Sequence, residues 1–72
     1  MNNKYILELF IKDCNSTSLD KHNCYNLLKQ HITNTTMRLQ PSSELNCVFI
    51  KTNDKFIAVV SFNNKTKQLE FK

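Results

Sequence analysis

Residues 51–72, KTNDKFIAVVSFNNKTKQLEFK, read as three strands joined by two tight turns, in a chain that contains no glycine. A two-residue hairpin loop needs positive φ at one or both central positions. Where glycine is absent, Asn and Asp are the next choice, because their short polar side chains bond locally and tolerate left-handed backbone. Asn53-Asp54 and Asn63-Asn64 stand where those turns fall. With both as two-residue loops, Phe49 faces Ala58, Cys47 faces Val60, Ala58 faces Leu69 and Phe56 faces Phe71. One sheet face then carries Cys47, Phe49, Phe56, Ala58, Val60, Phe62, Leu69 and Phe71, and loops longer by two residues preserve that parity. On this reading the face is core. Phe56→Ala is expected to cost roughly 3–5 kcal/mol, about the whole stability of so small a domain.

Upstream of the meander, KYILELFIKD (residues 4–13) sets Tyr5, Leu7, Leu9 and Ile11 on alternate positions, which predicts a strand. Ile6 and Phe10 interrupt the alternation, and Leu and Glu are also helix formers. DCNSTS breaks the pattern, and Thr17 or Ser18 is positioned to cap a helix running through LDKHNCYNLLKQHI (residues 19–32). Its apolar side is Cys24, Tyr25, Leu28 and Ile32, with Lys21, Asn26, Lys29 and Gln30 opposite. TMRLQ predicts a short strand stopped by Pro41, the one proline. The expected order is β-α-(β)-β-β-β. That is a single α+β domain over residues 1–72, with one helix packed on an antiparallel sheet that ends in a three-strand meander.

The formal charge is +4, from ten basic and six acidic residues, and most of the excess falls in the second half of the chain. Arg38 is the one arginine. Abundant Lys, Asn and Ile point to an AT-rich coding genome, and a small glycine-free domain of this kind suits a viral, phage or mobile-element protein that inhibits or adapts a host protein. The first apolar run, YILELFI, is broken by Glu8, lacks a cleavage site and is too short to span a bilayer, so neither a secretion signal nor membrane insertion is expected. With an odd count of three cysteines, Cys14, Cys24 and Cys47, the expectation is a cytoplasmic protein with free thiols.

Chemistry-bearing patterns are sparse. Cys14, His22, Cys24 and His31 are metal-ligating types, but no close Cys pair is present, and His22 and Cys24 point to different sides of a helix. Cys47 sits in an apolar strand, where burial keeps a thiol inert. Phosphate-cradling loops need glycine for close backbone approach, and the chain has none. No catalytic residue, metal or cofactor is expected, and the chain reads as a non-enzymatic binding module.

Two partner classes remain. The reverse face of the expected meander has an aliphatic centre, Val48, Ile50, Ile57 and Val59, where a solvated face alternates to polar residues. Either the chain's own first element covers such a patch, or the patch marks a protein interface, a homodimer included. Edge strands offer a second route by strand addition. The alternative is nucleic acid, held by Lys51, Lys55 and Lys72 at one end of the meander and Lys65 and Lys67 at the other. The phenylalanines could stack with bases only if their face were open, and on this reading they are spent on the core. Protein is therefore the favoured partner. Mass spectrometry of the purified chain is expected to show three unpaired thiols and no bound zinc; a stoichiometric zinc mass lost on replacing Cys14 or Cys24 would overturn this.

Overall fold

A computed structural model describes residues 3–42, 44 and 46–72. Among them the chain forms helix α1 (Asn3–Asn15), helix α2 (Lys21–Ile32) and strands β1 (Met37–Ser42), β2 (Cys47–Thr52), β3 (Lys55–Asn63) and β4 (Gln68–Phe71). The strands make one antiparallel sheet in the order β1-β2-β3-β4. The coarse α+β reading holds. The element order differs at the N-terminus, where a helix replaces the expected strand.

The periodicity of α1 explains that difference. Leu7, Ile11 and Cys14 are buried, and Ile6 and Phe10 pack against the same core. These positions repeat at the spacing of a helix face. Tyr5 and Leu9, which completed the apparent alternation, are about half exposed, at 52% and 49%. The residues that spoiled the strand pattern, Ile6 and Phe10, are therefore the ones that belong to the helical stripe.

α2 begins one residue after Asp20, whose side chain accepts the Asn23 N–H at 2.9 Å. The cap is Asp20 and not Thr17 or Ser18. Thr17 instead closes α1, its hydroxyl donating to the Cys14 carbonyl at 2.7 Å, and Ser18 turns the chain with φ 56°. The two helices clasp near their C-terminal ends: His31 stacks on Phe10 at 4.9 Å between centroids, and its Nε2 lies 2.7 Å from Asp13 Oδ2.

The first hairpin turn is as expected. Asn53 and Asp54 have φ 51° and 64°, and Thr52 faces Lys55 across a two-residue loop. Past Lys51↔Phe56, however, the next pair is Ile50↔Ala58. Ile57 is an extra residue, a β-bulge, and it reverses the parity of everything beyond it. Phe49 now faces Val59, and Val48 faces Val60. At the second turn, Asn63 pairs with Gln68 across a four-residue connection. Asn63 works through its side chain, accepting the Lys65 and Thr66 N–H groups, and the left-handed residue is Lys67, φ 61°. That shift is even, so β4 keeps its expected face.

The core is consequently built from Val48 and Ile50 of β2, Val60 and Phe62 of β3, Leu69 of β4 and Met37 of β1, under Leu7, Ile11 and Cys14 of α1 and Cys24, Leu28 and Ile32 of α2. Val60, Phe62 and Leu69 lie on the core face as expected. Phe49 and Phe56 do not, and Phe56 is 60% exposed. The grouping of Val48, Ile50, Ile57 and Val59 as an open patch is also not formed. Val48 and Ile50 are buried, and Ile57 packs against the core from the bulge. Only Val59 remains on the reverse side, half-buried.

Both sheet edges are partly closed. On β4 the Asn15 carboxamide pairs with the Leu69 backbone in both directions, donating to its carbonyl at 2.9 Å and accepting its N–H at 2.7 Å. On β1 the Met37 N–H is taken by Thr35 Oγ1, so Met37 points out of the ladder, and Pro41 shares its parity. Proline thus falls where a missing N–H costs the sheet nothing, which is why β1 runs on through Pro41 to Ser42. Thermal unfolding should reverse the expectation for Phe56: Phe56→Ala should keep its melting temperature within a few degrees, whereas Ile50→Ala should lose about 2–5 kcal/mol. A Phe56→Ala chain that unfolds would mean the bulge is absent.

Candidate functional site

The bulge turns one row of side chains outward, away from both helices. Arg38, Lys51 and Phe56 stand side by side across β1, β2 and β3. Gln40, Phe49 and Val59 form the next row; in the row after that, Ser42, Ser61 and Glu70 share the register of Cys47, which is itself buried. The Phe49 and Phe56 rings meet edge to face, 5.4 Å between centroids and 63° between planes. The Lys51 ammonium lies 5.0 Å from the Phe56 centroid, a cation–π contact at the surface. Two exposed or half-exposed aromatic rings and a cation are thus in mutual contact on a face that the helices leave uncovered.

Arg38 is held rather than free to sweep. One guanidinium nitrogen donates to the Thr35 and Met37 carbonyls, each at 2.7 Å. The remaining N–H groups stay available to a ligand. Arg38 and Lys51, with Leu39, Gln40, Pro41 and Asp54 among the other lining residues, border an open depression of about 400 Å³ along β1, which neither phenylalanine lines. Asp54 is the one carboxylate on its wall. Across the sheet, the Lys72 N–H bonds the Val59 carbonyl at 2.8 Å, which continues β4 and gives Lys72 the parity of Glu70. The Glu70 carboxylate accepts from Asn63 Nδ2 at 3.2 Å.

The lysines divide differently from the sequence reading. Lys51 and Lys55 lie at the Asn53-Asp54 end, but the shifted second register moves Lys72 to the level of Val59. Lys65 and Lys67 sit in the connection after Asn63, at the opposite end. Arg38 is the site residue that the spacing did not identify, whereas Phe49 and Phe56, expected to stack with bases only if their face were open, do lie on the side away from the helices. Their signal was ambiguous because β2 is apolar on both sides: Val48 and Ile50 compete with Cys47 and Phe49 for the core, and period alone does not choose between them.

Cys14, Cys24 and Cys47 are free and buried. His31 is engaged by Asp13 and Phe10, while His22 is exposed on α2. Among the described residues no three His, Cys, Asp or Glu side chains gather in a metal-binding arrangement. The Tyr25 hydroxyl is buried near the Phe62 backbone without a well-formed hydrogen bond, and burial pushes its pKa up. No helix among the described residues is long and apolar enough to cross a membrane. No family model, curated protein or solved structure matches the chain.

Burial pushes the Cys14 thiol from 9.0 up to about 11, with Cys24 and Asp13 adding to the shift. The folded state therefore holds this proton more tightly than the unfolded chain. The associated stability is complete below pH 9.0 and is lost as the pH rises through about 11. Of the loss that denaturant titrations show across that window, Cys14 should account for at most about 2–3 kcal/mol. Cys14→Ala should flatten this dependence; an unchanged slope would show that Cys14 titrates as it does in the unfolded chain.

Proposed function

We propose that this chain is a non-enzymatic binding module whose contact surface is the helix-free face of its sheet. The observation that carries this reading is Phe56, 60% exposed and packed against Phe49 and Lys51 instead of into the core. Single apolar residues on a surface need no explanation, but a contiguous cluster on an otherwise ordinary sheet face does. Phe49, Phe56 and Val59 form such a cluster, and aromatic side chains dominate the energetics of buried contacts. The non-enzymatic part is supported by the condition of the cysteine thiols, which are buried, and of His31, which is already engaged.

Binding by strand addition is the weaker route. Asn15 occupies the Leu69 backbone on one edge, and Pro41 and the Thr35–Met37 bond interrupt the other. An added strand needs a run of unpaired N–H and C=O groups, which neither edge presents at these positions.

The test compares wild type, Phe56→Asp and, as a control, Tyr5→Asp on the exposed side of α1. All three should fold by circular dichroism. In sizing chromatography and in capture from lysate, with both protein and nucleic acid analysed, only Phe56→Asp should lose the associated macromolecule or fall from dimer to monomer. If wild type associates with nothing that Phe56→Asp loses, the face is not the contact surface and the reading fails.

A further inference from the structure

We infer that the partner of this face is a single-stranded polynucleotide, with unpaired bases on the Phe49–Phe56 pair and phosphates on Arg38, Lys51 and Lys72. This rests on the helix-free face being the contact surface. Charge complementarity decides the class of partner. By register the face carries Arg38, Lys51 and Lys72 against one carboxylate, Glu70, which is already bonded to Asn63. Asp54 stands at the turn beside the depression that Arg38 and Lys51 line. Cations thus flank the aromatic pair on both sides, at the β1–β2 corner and at the end of β4. This is the pattern that single strands require: π-faces for the bases and positive charge along the backbone path.

A protein surface fits less well. The centre of a protein interface is depleted in Lys, and covering Lys51 would strip water from its ammonium unless an acidic residue met it. A second copy of this chain could offer only Glu70 from the same face, and that carboxylate is already engaged. A duplex fits less well too, because its bases are stacked on one another and leave no face for Phe56. For a single strand, Lys51 has two positions to serve. Free, its ammonium covers the Phe56 ring. With a phosphate alongside, the ammonium moves to the anion and uncovers the ring for a base. Arg38 needs no such movement, since two backbone carbonyls already hold its guanidinium at the corner.

The test is fluorescence anisotropy with labelled single strands of about ten nucleotides, as DNA and as RNA, beside the corresponding duplex. Wild type should bind at least one single strand more tightly than the duplex. With about three phosphate contacts, affinity should fall about 20-fold between about 50 and about 200 mM salt. Phe56→Ala should weaken binding about tenfold or more without changing the salt slope, because stacking is lost and no phosphate contact is. Arg38→Gln should reduce the slope by about 0.7, and the double variant Lys65→Gln/Lys67→Gln should leave binding within about twofold. The RNA and DNA arms identify which strand is held. No binding at about 50 mM salt, preference for duplex, or equal affinity of Phe56→Ala overturns the inference, as does loss of binding only in the Lys65/Lys67 variant. A protein or a second copy lost from Phe56→Asp would sink the polynucleotide and leave the contact surface standing; loss of nothing would sink both.

Discussion

One inserted residue, Ile57, sets which side chains this sheet buries. A strand alternates with period two, so a single extra residue exchanges the faces of everything beyond it. Counting back from the Asn53-Asp54 turn without the bulge, β2 would set Val48 and Ile50 opposite Ile57 and Val59, on the face shared with Ser61 and Asn63. With the bulge, Val48 and Ile50 join Ala58, Val60 and Phe62. Two strands, each moderately apolar on both sides, thereby combine their best-packing sides under the helices. The rings of Phe49 and Phe56 are what the arrangement leaves over, and they meet each other on the opposite face.

The helices depend on that choice. α1 and α2 supply Leu7, Ile11, Cys14, Cys24, Leu28 and Ile32 to a cluster whose sheet side is Val48, Ile50, Val60, Phe62, Leu69 and Met37. Burial of this set is the main favourable term for a domain of 72 residues. Directional bonds then seat the helices. Asn15, the last residue of α1, ties the helix to β4 through the Leu69 backbone. His31 and Asp13 join α2 to α1, and Lys21 meets Asn46 where α2 begins near the start of β2. The Asn15 bonds do two things at once, since the groups they satisfy are the ones an incoming strand would need.

What the sequence made legible follows from how local each signal is. The turn at Asn53-Asp54 was readable because φ is a property of the two residues themselves. The apolar side of α2 was readable because twelve residues carry a clear period. The bulge was not, because nothing in IKTNDKFIAVV marks Ile57 as the odd residue. Its placement is decided by which of two apolar faces of β2 packs better against helices far away in sequence. α1 was misread for a related reason: Tyr5, Leu7, Leu9 and Ile11 satisfy a period of two, while Leu7, Ile11 and Cys14 satisfy a helical one. Ten residues with apolar side chains at both spacings do not discriminate, and contact with α2 does. The candidate site inherits the error. Lys51 was identified from charge alone; Phe49 and Phe56 were legible as stacking residues only on the condition of an open face, and Arg38 joined them once the faces were known.

The exposed phenylalanine pair also bears on how the chain avoids its own aggregation. An apolar sheet face is hazardous chiefly when it adjoins open edges, because backbone pairing then extends the sheet while the faces stack. Here the two hazards are separated. Leu69 is paired by Asn15 on one edge, and Pro41 removes a donor from the other. On the face itself, Lys51 covers Phe56 and Arg38 stands next in the row. Two copies brought face to face would set these cations against a surface carrying mostly more cations. The same charges that oppose self-stacking attract a polyanion, so the features that make the face tolerable in the free chain are the ones that select its partner.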